Sequence, residues 1–185
     1  MTKTICALLF MVFTMSIARG QGTIEPEIEG TKLYLTILSP GLYVEQRLAN
    51  KFTFLAGFDL AVSASASASS DGNNQTFYAL SPRVRGELRG YYNRKNQKLD
   101  LNANSGNFAG LTSGYFMSPV ASSLEEGRFM QSDNAFYIGP IWGIQRNYKT
   151  GFRLELTLGY GFITGDYVEQ NGIFLGDFSL GFVLK

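Results

Sequence analysis

Apolar and polar residues alternate with a period of two along most of the chain after residue 31. The clearest example is Phe152–Ile163, whose even positions are Phe, Leu, Leu, Leu, Tyr and Phe and whose odd positions are Arg, Glu, Thr, Gly, Gly and Ile. A strand places these two sets on opposite faces, whereas a helix would scatter both sets around its circumference. The pattern therefore predicts a strand.

The same alternation predicts further strands at Phe52–Ala64, Tyr78–Tyr92, Phe136–Tyr148 and Phe174–Leu184, and less clearly at Asn107–Met117. In Lys32–Leu48 the apolar phase changes from odd to even positions across Ser39-Pro40-Gly41, which indicates either a bulge or a tight turn between two strands. Bacterial single-chain membrane barrels have an even number of strands, so we favour the turn, which raises the count from seven to eight. The rival eighth strand is Thr23–Glu29, which is short and contains Pro26.

The links between these segments differ in length. Short links are predicted near Asn50, near Lys149-Thr150 and around Asn93–Asn102, and longer ones at Ser65–Thr76, Ser118–Asp133 and Gly165–Gly172. This asymmetry is typical of outer-membrane barrels. Pro82 and Pro140 fall inside predicted strands, and a closed sheet has no free edge for a residue without an N–H donor. We expect each proline to lie at a bulge or beyond the hydrocarbon layer.

Alternation does not by itself decide which face of a closed sheet points inward, because a secreted lipocalin has the same period. The polar face carries Gly139, Gly159 and Gly161, and small residues suit the narrow interior of an eight-stranded barrel. Large aromatic residues dominate the other face, as in lipid-facing strands with aromatic girdles. We therefore predict that the apolar face points outward. Arg146 and Gln46 lie on that face near turns, where long polar side chains reach the interface.

The first 20 residues have a different character. Lys3 precedes an almost wholly apolar run from Ile5 to Ile17, and small residues follow at Ala18 and Gly20. This order is typical of a cleaved secretory signal peptide. We expect residues 1–20 to be a signal peptide, residues 21–31 a periplasmic N-terminal segment and residues 32–185 an outer-membrane β-barrel.

Composition restricts the chemistry of the exported part. The chain has no histidine, and its one cysteine, Cys6, lies in the predicted signal peptide. Ser–His–Asp arrangements, thiol nucleophiles and Cys/His zinc sites are therefore excluded, and no pair of carboxylates is placed together for hydrolysis. We expect no enzyme, no metal and no cofactor. The 16 basic and 15 acidic residues nearly balance, so there is no electrostatic case for nucleic-acid binding.

Five basic and five acidic residues share the phase of the predicted interior face: Glu45, Arg47, Asp59, Arg83, Arg85, Glu87, Arg89, Arg153, Glu155 and Asp177. Arginine is preferred to lysine, which suits planar paired hydrogen bonding in a confined space. We predict a balanced ion-pair network that fills the interior, because unpaired charges there are costly. The alternative is a gated, narrow ion path along the same residues.

Several segments together carry a resemblance to known proteins. The terminal strand Phe178-Ser179-Leu180-Gly181-Phe182-Val183-Leu184, with the eight strands and the signal peptide, resembles small Gram-negative outer-membrane barrels of the OmpA/OmpX type. Arg89-Gly90-Tyr91-Tyr92-Asn93 and Asn104-Ser105-Gly106-Asn107-Phe108 are similar to a family of uncharacterised outer-membrane proteins. The resemblance implies an all-β, antiparallel, up-and-down transmembrane barrel in the outer membrane. Its partners would be membrane lipid and the barrel-assembly machinery, although that machinery often reads a terminal aromatic residue and this chain ends Leu184-Lys185.

Three functions remain open at this point. The first is a structural, adhesion or interaction role, in which the longer loops contact an extracellular ligand or protein. The second is a narrow pore for ions or small solutes. The third is a secreted, soluble, lipocalin-like barrel that binds an apolar ligand in its core.

Overall fold

Every regular element that the structure describes is a β-strand. The computed structural model describes residues 30–68, 74–93, 101, 104–123, 134–165 and 172–184 of the 185-residue chain. The strands are β1 (Thr31–Thr36), β2 (Gly41–Ala49), β3 (Phe52–Ala68), β4 (Asn74–Asn93), β5 (Gly106–Phe116), β6 (Ala121–Ser122), β7 (Ala135–Asn147), β8 (Phe152–Gly165) and β9 (Gly172–Leu184). The predicted all-β class is confirmed. The predicted signal peptide and the rival strand Thr23–Glu29 lie outside the described residues, and within those residues no helix is long and apolar enough to cross a membrane.

Eight of these strands form one antiparallel sheet that closes on itself. The order around the ring is β3-β2-β1-β9-β8-β7-β5-β4, and β3 pairs with β4 to complete it. The remaining strand, β6, pairs with Ala79 and Leu80 of β4 beyond the end of β5. The predicted count of eight strands in the ring is therefore confirmed.

A tight turn, and not a bulge, explains the change of phase in Lys32–Leu48. The pairing of β1 with β2 runs from Thr31 opposite Gln46 to Thr36 opposite Gly41. The buried Thr36 hydroxyl donates to the Ser39 carbonyl oxygen at 2.5 Å across the turn. Residues 37–40 form the turn. Because their number is even, the outward-facing residues have odd numbers in β1 and even numbers in β2. Thr31, which we assigned to the N-terminal segment, is the first residue of β1.

Two predicted loops are partly strand. The structure pairs β3 with β4 continuously out to Ala68 opposite Asn74, so Ser65–Ala68 and Asn74–Thr76 of the predicted longer link Ser65–Thr76 are strand. Within Ser118–Asp133, β6 pairs with β4. We call the end of the ring that carries these connections the loop end. The opposite end, with Asn50-Lys51 and Tyr148–Gly151, is the turn end.

Neither proline lies at a bulge, because the described register shifts fall between Arg47 and Ala49 and between Tyr91 and Asn93. Pro82 is paired with Leu60, and its carbonyl oxygen accepts from the Met117 N–H at 2.8 Å, just past the end of β5. The N–H that proline lacks would point to the same side as this carbonyl oxygen. On that side the pairing of β4 with β5 has already ended at Arg83 and Phe116, so no hydrogen bond of that ladder is lost. At Pro140 the pairing of β7 with β8 is interrupted. It stops at Ile138 opposite Phe162 and resumes at Ile141 opposite Gly159.

The two faces of the ring have opposite character. Large apolar side chains such as Phe162 and Phe174, which are 70% and 68% exposed, cover the outside, whereas charged side chains such as Arg89 and Glu87 are buried inside. The backbones of β7 and β8 approach each other closely, since a Cβ atom on Gly139 would lie 2.5 Å from the Gly161 Cα atom. The sheet thus encloses its polar face and exposes its apolar face.

Candidate functional site

Arg89 on β4 is the centre of the buried polar network. Its Nη1 and Nη2 atoms donate to the two carboxylate oxygens of Glu155 on β8 at 2.8 and 2.9 Å, and its Nε atom donates to Glu87 at 2.7 Å. Nη1 also donates to Gln145 on β7 at 2.7 Å, and the guanidinium lies over the ring of Phe108. Paired, planar contacts of this kind are the strongest that arginine makes. Arg89 therefore ties together strands on different sides of the ring.

A second group of ion pairs lies nearer the loop end. Arg83 donates through Nε and Nη2 to both carboxylate oxygens of Asp59, at 2.9 and 2.5 Å. Arg85 donates through Nη1 to Asp177 on β9 at 2.6 Å, directly across the ring from β4. The Tyr43 hydroxyl completes the group by donating to Asp59 at 2.5 Å. These contacts join β2, β3, β4 and β9.

Glu45 on β2 is held in a different way, by neutral donors. Its Oε1 atom accepts from the hydroxyls of Thr53 and Tyr91 at 2.7 Å each, and its Oε2 atom accepts from the Tyr34 hydroxyl at 2.5 Å. Gln145, from the opposite side of the ring, donates to Oε2 at 3.2 Å. The carboxylate is fully buried, so these hydrogen bonds replace the water that it loses.

Two described residues just before β5, Asn104 and Ser105, lie beside Glu45 at the turn end. Asn104 and Ser105 are fully buried, and the Asn104 amide donates to Glu45 Oε2 at 3.3 Å. The Asn104 carbonyl oxygen accepts from Gln145 at 2.7 Å and from Asn147 at 3.0 Å. The sequence predicted only a short link around Asn93–Asn102. Asn104 and Ser105 lie just after that range, so the prediction did not include them.

Replacing Asn104 with alanine should lower the free energy of unfolding by about 1–3 kcal/mol. Asn104 has a positive φ of 62°, which costs about 1–2 kcal/mol for residues other than Gly, Asn and Asp, and the amide bond to Glu45 would also be lost. Urea unfolding of the purified protein, followed by fluorescence, would measure the change. Asn104→Gly is the matched control, because it removes the amide without the strain. Equal stability of the alanine variant and the natural chain would contradict a stabilising role of Asn104 at the turn end.

The structure brings together most of the ten charged residues predicted to face the interior. Glu45, Asp59, Arg83, Arg85, Glu87, Arg89, Arg153 and Glu155 are buried. The side chain of Asp177 is 14% exposed and contacts Arg85, and Arg153 contacts Glu155 and lies over the Tyr34 ring. Arg47 is half-buried near the turn end.

Sequence reasoning missed the neutral members of the network, because only charged residues were selected. Tyr34, Tyr43 and Tyr91 share the phase of the charged face, and Gln145 and Asn147 lie on the polar face of the predicted strand Phe136–Tyr148. The alternation contained the signal for these five residues. Asn104 had no such signal, because it follows β4 outside any alternating segment.

A cluster of apolar side chains lies inside the ring beyond the ion pairs at the loop end. The buried cluster there consists of Ala61, Phe116, Ala135, Tyr137 and Ile163, with Ile173 and Leu175 packed against it. Polar contacts cross the ring from β2 to β7 and from β4 to β8 and β9. Within the described ranges, no group of three or more His, Cys, Asp or Glu side chains is arranged to hold a metal ion. The arrangement is suited to bracing the ring internally.

Comparison of the chain with protein-family models, with curated proteins and with solved structures gave no match.

Proposed function

We propose that the exported chain is a small integral outer-membrane β-barrel that acts as an anchored scaffold, with a structural, adhesion or interaction role at its loop end. The observation that carries this proposal is the inverted distribution of side chains, with ion pairs inside and large apolar groups outside. A closed sheet is one of the two backbone structures that satisfy all their hydrogen bonds within a bilayer.

The size of the apolar outer surface supports insertion in lipid. Soluble monomers rarely expose contiguous apolar patches above a few hundred Å². Here every strand of the ring carries exposed large apolar or aromatic side chains, from Leu33 and Leu35 on β1 to Phe174 on β9. Strands β5, β7, β8 and β9 have 11 to 14 residues, which meets the length of about 9–11 residues that a tilted strand needs to cross a bilayer.

The interior argues against the two other candidate functions. A pore needs a continuous aqueous path, whereas the contacts of Arg89 and Glu45 cross the ring and a buried apolar cluster lies beyond the ion pairs at the loop end. A lipocalin-like barrel needs an apolar cavity, whereas the middle of this ring is occupied by paired charges. We therefore place the function at the surface and the loop end.

Fractionation of cells that express the full chain would test the membrane location. We expect the protein in the outer-membrane fraction, extractable only with detergent, and we expect its unboiled band to migrate differently from its boiled band on a gel. The strongly paired closed sheet should stay folded in detergent until it is heated. A protein recovered in the soluble fraction with identical bands would overturn the proposal. Discrete conductance steps in planar bilayers would instead favour the pore.

A further inference from the structure

Arg146 is the one charged side chain on the outward face of the strands, as far as the structure describes them. The other outward positions of β7 are Phe136, Ile138, Pro140, Trp142 and Ile144. The charged residues of the other described strands lie on the inward face. A charge on a surface that faces lipid is costly and calls for a partner.

The surroundings of Arg146 hold it in place without neutralising it. Its Nη1 atom donates to the Gln145 carbonyl oxygen at 2.8 Å, and its Nη2 atom donates to the Asn107 Oδ1 atom on β5 at 2.9 Å. Both acceptors are neutral, and no carboxylate pairs with Arg146 within the described ranges. Because a guanidinium has five N–H donors, further donors and the full positive charge remain for a ligand.

The position of Arg146 along β7 indicates its depth in the bilayer. Trp142 lies on the same face, is paired with Leu158 in the middle of β8, and donates its indole N–H to the hydroxyl of Tyr92 at 2.5 Å. Arg146 follows four residues later, about 13 Å nearer to the turn end along the strand, and the Tyr148–Gly151 turn begins two residues after it. Half of the hydrocarbon layer is about 15 Å thick, and a long arginine side chain reaches the remaining distance. The guanidinium therefore lies at headgroup depth.

We propose that Arg146 binds the phosphodiester group of a membrane phospholipid at the turn end, with Asn107 fixing the orientation of the guanidinium. The planar fork of arginine matches two phosphate oxygens, which lysine does not reproduce. The acyl chains of the same lipid would lie along Ile144 and Leu154, the apolar outward neighbours on β7 and β8. This inference rests on the proposed membrane function and adds a defined lipid contact to it.

The chain's single tryptophan, Trp142, is a built-in reporter for this site. Phosphatidylglycerol with brominated acyl chains would be titrated into the purified full chain in dodecyl maltoside micelles, and quenching of Trp142 fluorescence would be recorded. Brominated diacylglycerol, which lacks the phosphate, is the matched lipid. We expect half-maximal quenching at a mole fraction about tenfold lower for the phospholipid, because a charge-assisted hydrogen bond contributes about that factor.

Arg146→Gln should remove the difference between the two lipids. Lys51→Gln is the matched control, because it removes one positive charge from the turn end on the other side of the ring and should keep the difference. Equal loss in both variants, or equal quenching by both lipids in the natural chain, would overturn the site. Inorganic phosphate at millimolar concentration should leave the quenching unchanged. If it displaces the lipid, the site binds free phosphate and the assignment to lipid is wrong.

Reconstitution separates this inference from the proposal on which it rests. A protein that inserts into vesicles and shows the heat-dependent band, yet does not distinguish the two lipids, would refute the phosphate site alone. A protein that stays soluble and does not insert would refute the membrane function, and the site with it.

Discussion

Replacing Arg89 with methionine should lower the free energy of unfolding by about 3–5 kcal/mol. The substitution removes one of the two arginines that contact each of the buried carboxylates Glu87 and Glu155, and breaking a buried ion pair on one side has this cost. Urea unfolding in detergent or vesicles, followed by Trp142 fluorescence, would measure the loss. The temperature at which the unboiled gel band disappears should fall in parallel.

A double-mutant cycle would assign the loss to the network. Glu155→Gln removes the charge that Arg89 contacts at 2.8 and 2.9 Å, so the variant with both substitutions should be less destabilised than the sum of the two single variants. Lys51→Gln, in the exposed turn after β2, should change stability by less than about 0.5 kcal/mol. Strictly additive effects of Arg89→Met and Glu155→Gln would show that the two side chains are not coupled.

Replacing Leu158 with arginine should destabilise the protein in a bilayer by about 2–4 kcal/mol. Leu158 faces outward in the middle of β8, opposite Trp142 and Gly176 on the neighbouring strands, and a cation at the bilayer midplane has this cost. Folding equilibria in phospholipid vesicles, compared with the natural chain, would measure the effect.

Leu184→Arg is the matched control for the position in the membrane. Leu158 and Leu184 are both 39% exposed, but Leu184 is the last residue of β9 and lies at the turn end. In a membrane its replacement should cost only about 0–1 kcal/mol, because the penalty falls towards the interface. Equal and small effects at the two positions would contradict lipid contact, since a soluble protein tolerates a charge equally well at two equally exposed sites.

The alternation of residues determined the strands and their faces. In β7 and β8 each residue has its neighbours on the opposite face, so a period of two is sufficient to separate the exposed Trp142 and Leu158 from the buried Gln145 and Glu155. The change of phase at Ser39-Pro40-Gly41 indicated a bulge or a turn, and the even strand number of membrane barrels favoured the turn that makes eight strands in the ring. Local patterns succeed here because the pleat of a strand is itself a local property.

The tertiary structure alone decided which interior residues meet. Arg89 reaches Glu155, and Glu45 reaches Gln145, through the closure and register of the ring, and these are set by pairings between strands distant in the sequence. The position of Asn104 over Glu45 depends on the same long-range geometry. The sequence by itself determined which face of each strand is polar. The partner of each polar side chain is a property of the closed ring, because contacts across its interior have no counterpart in the local pattern.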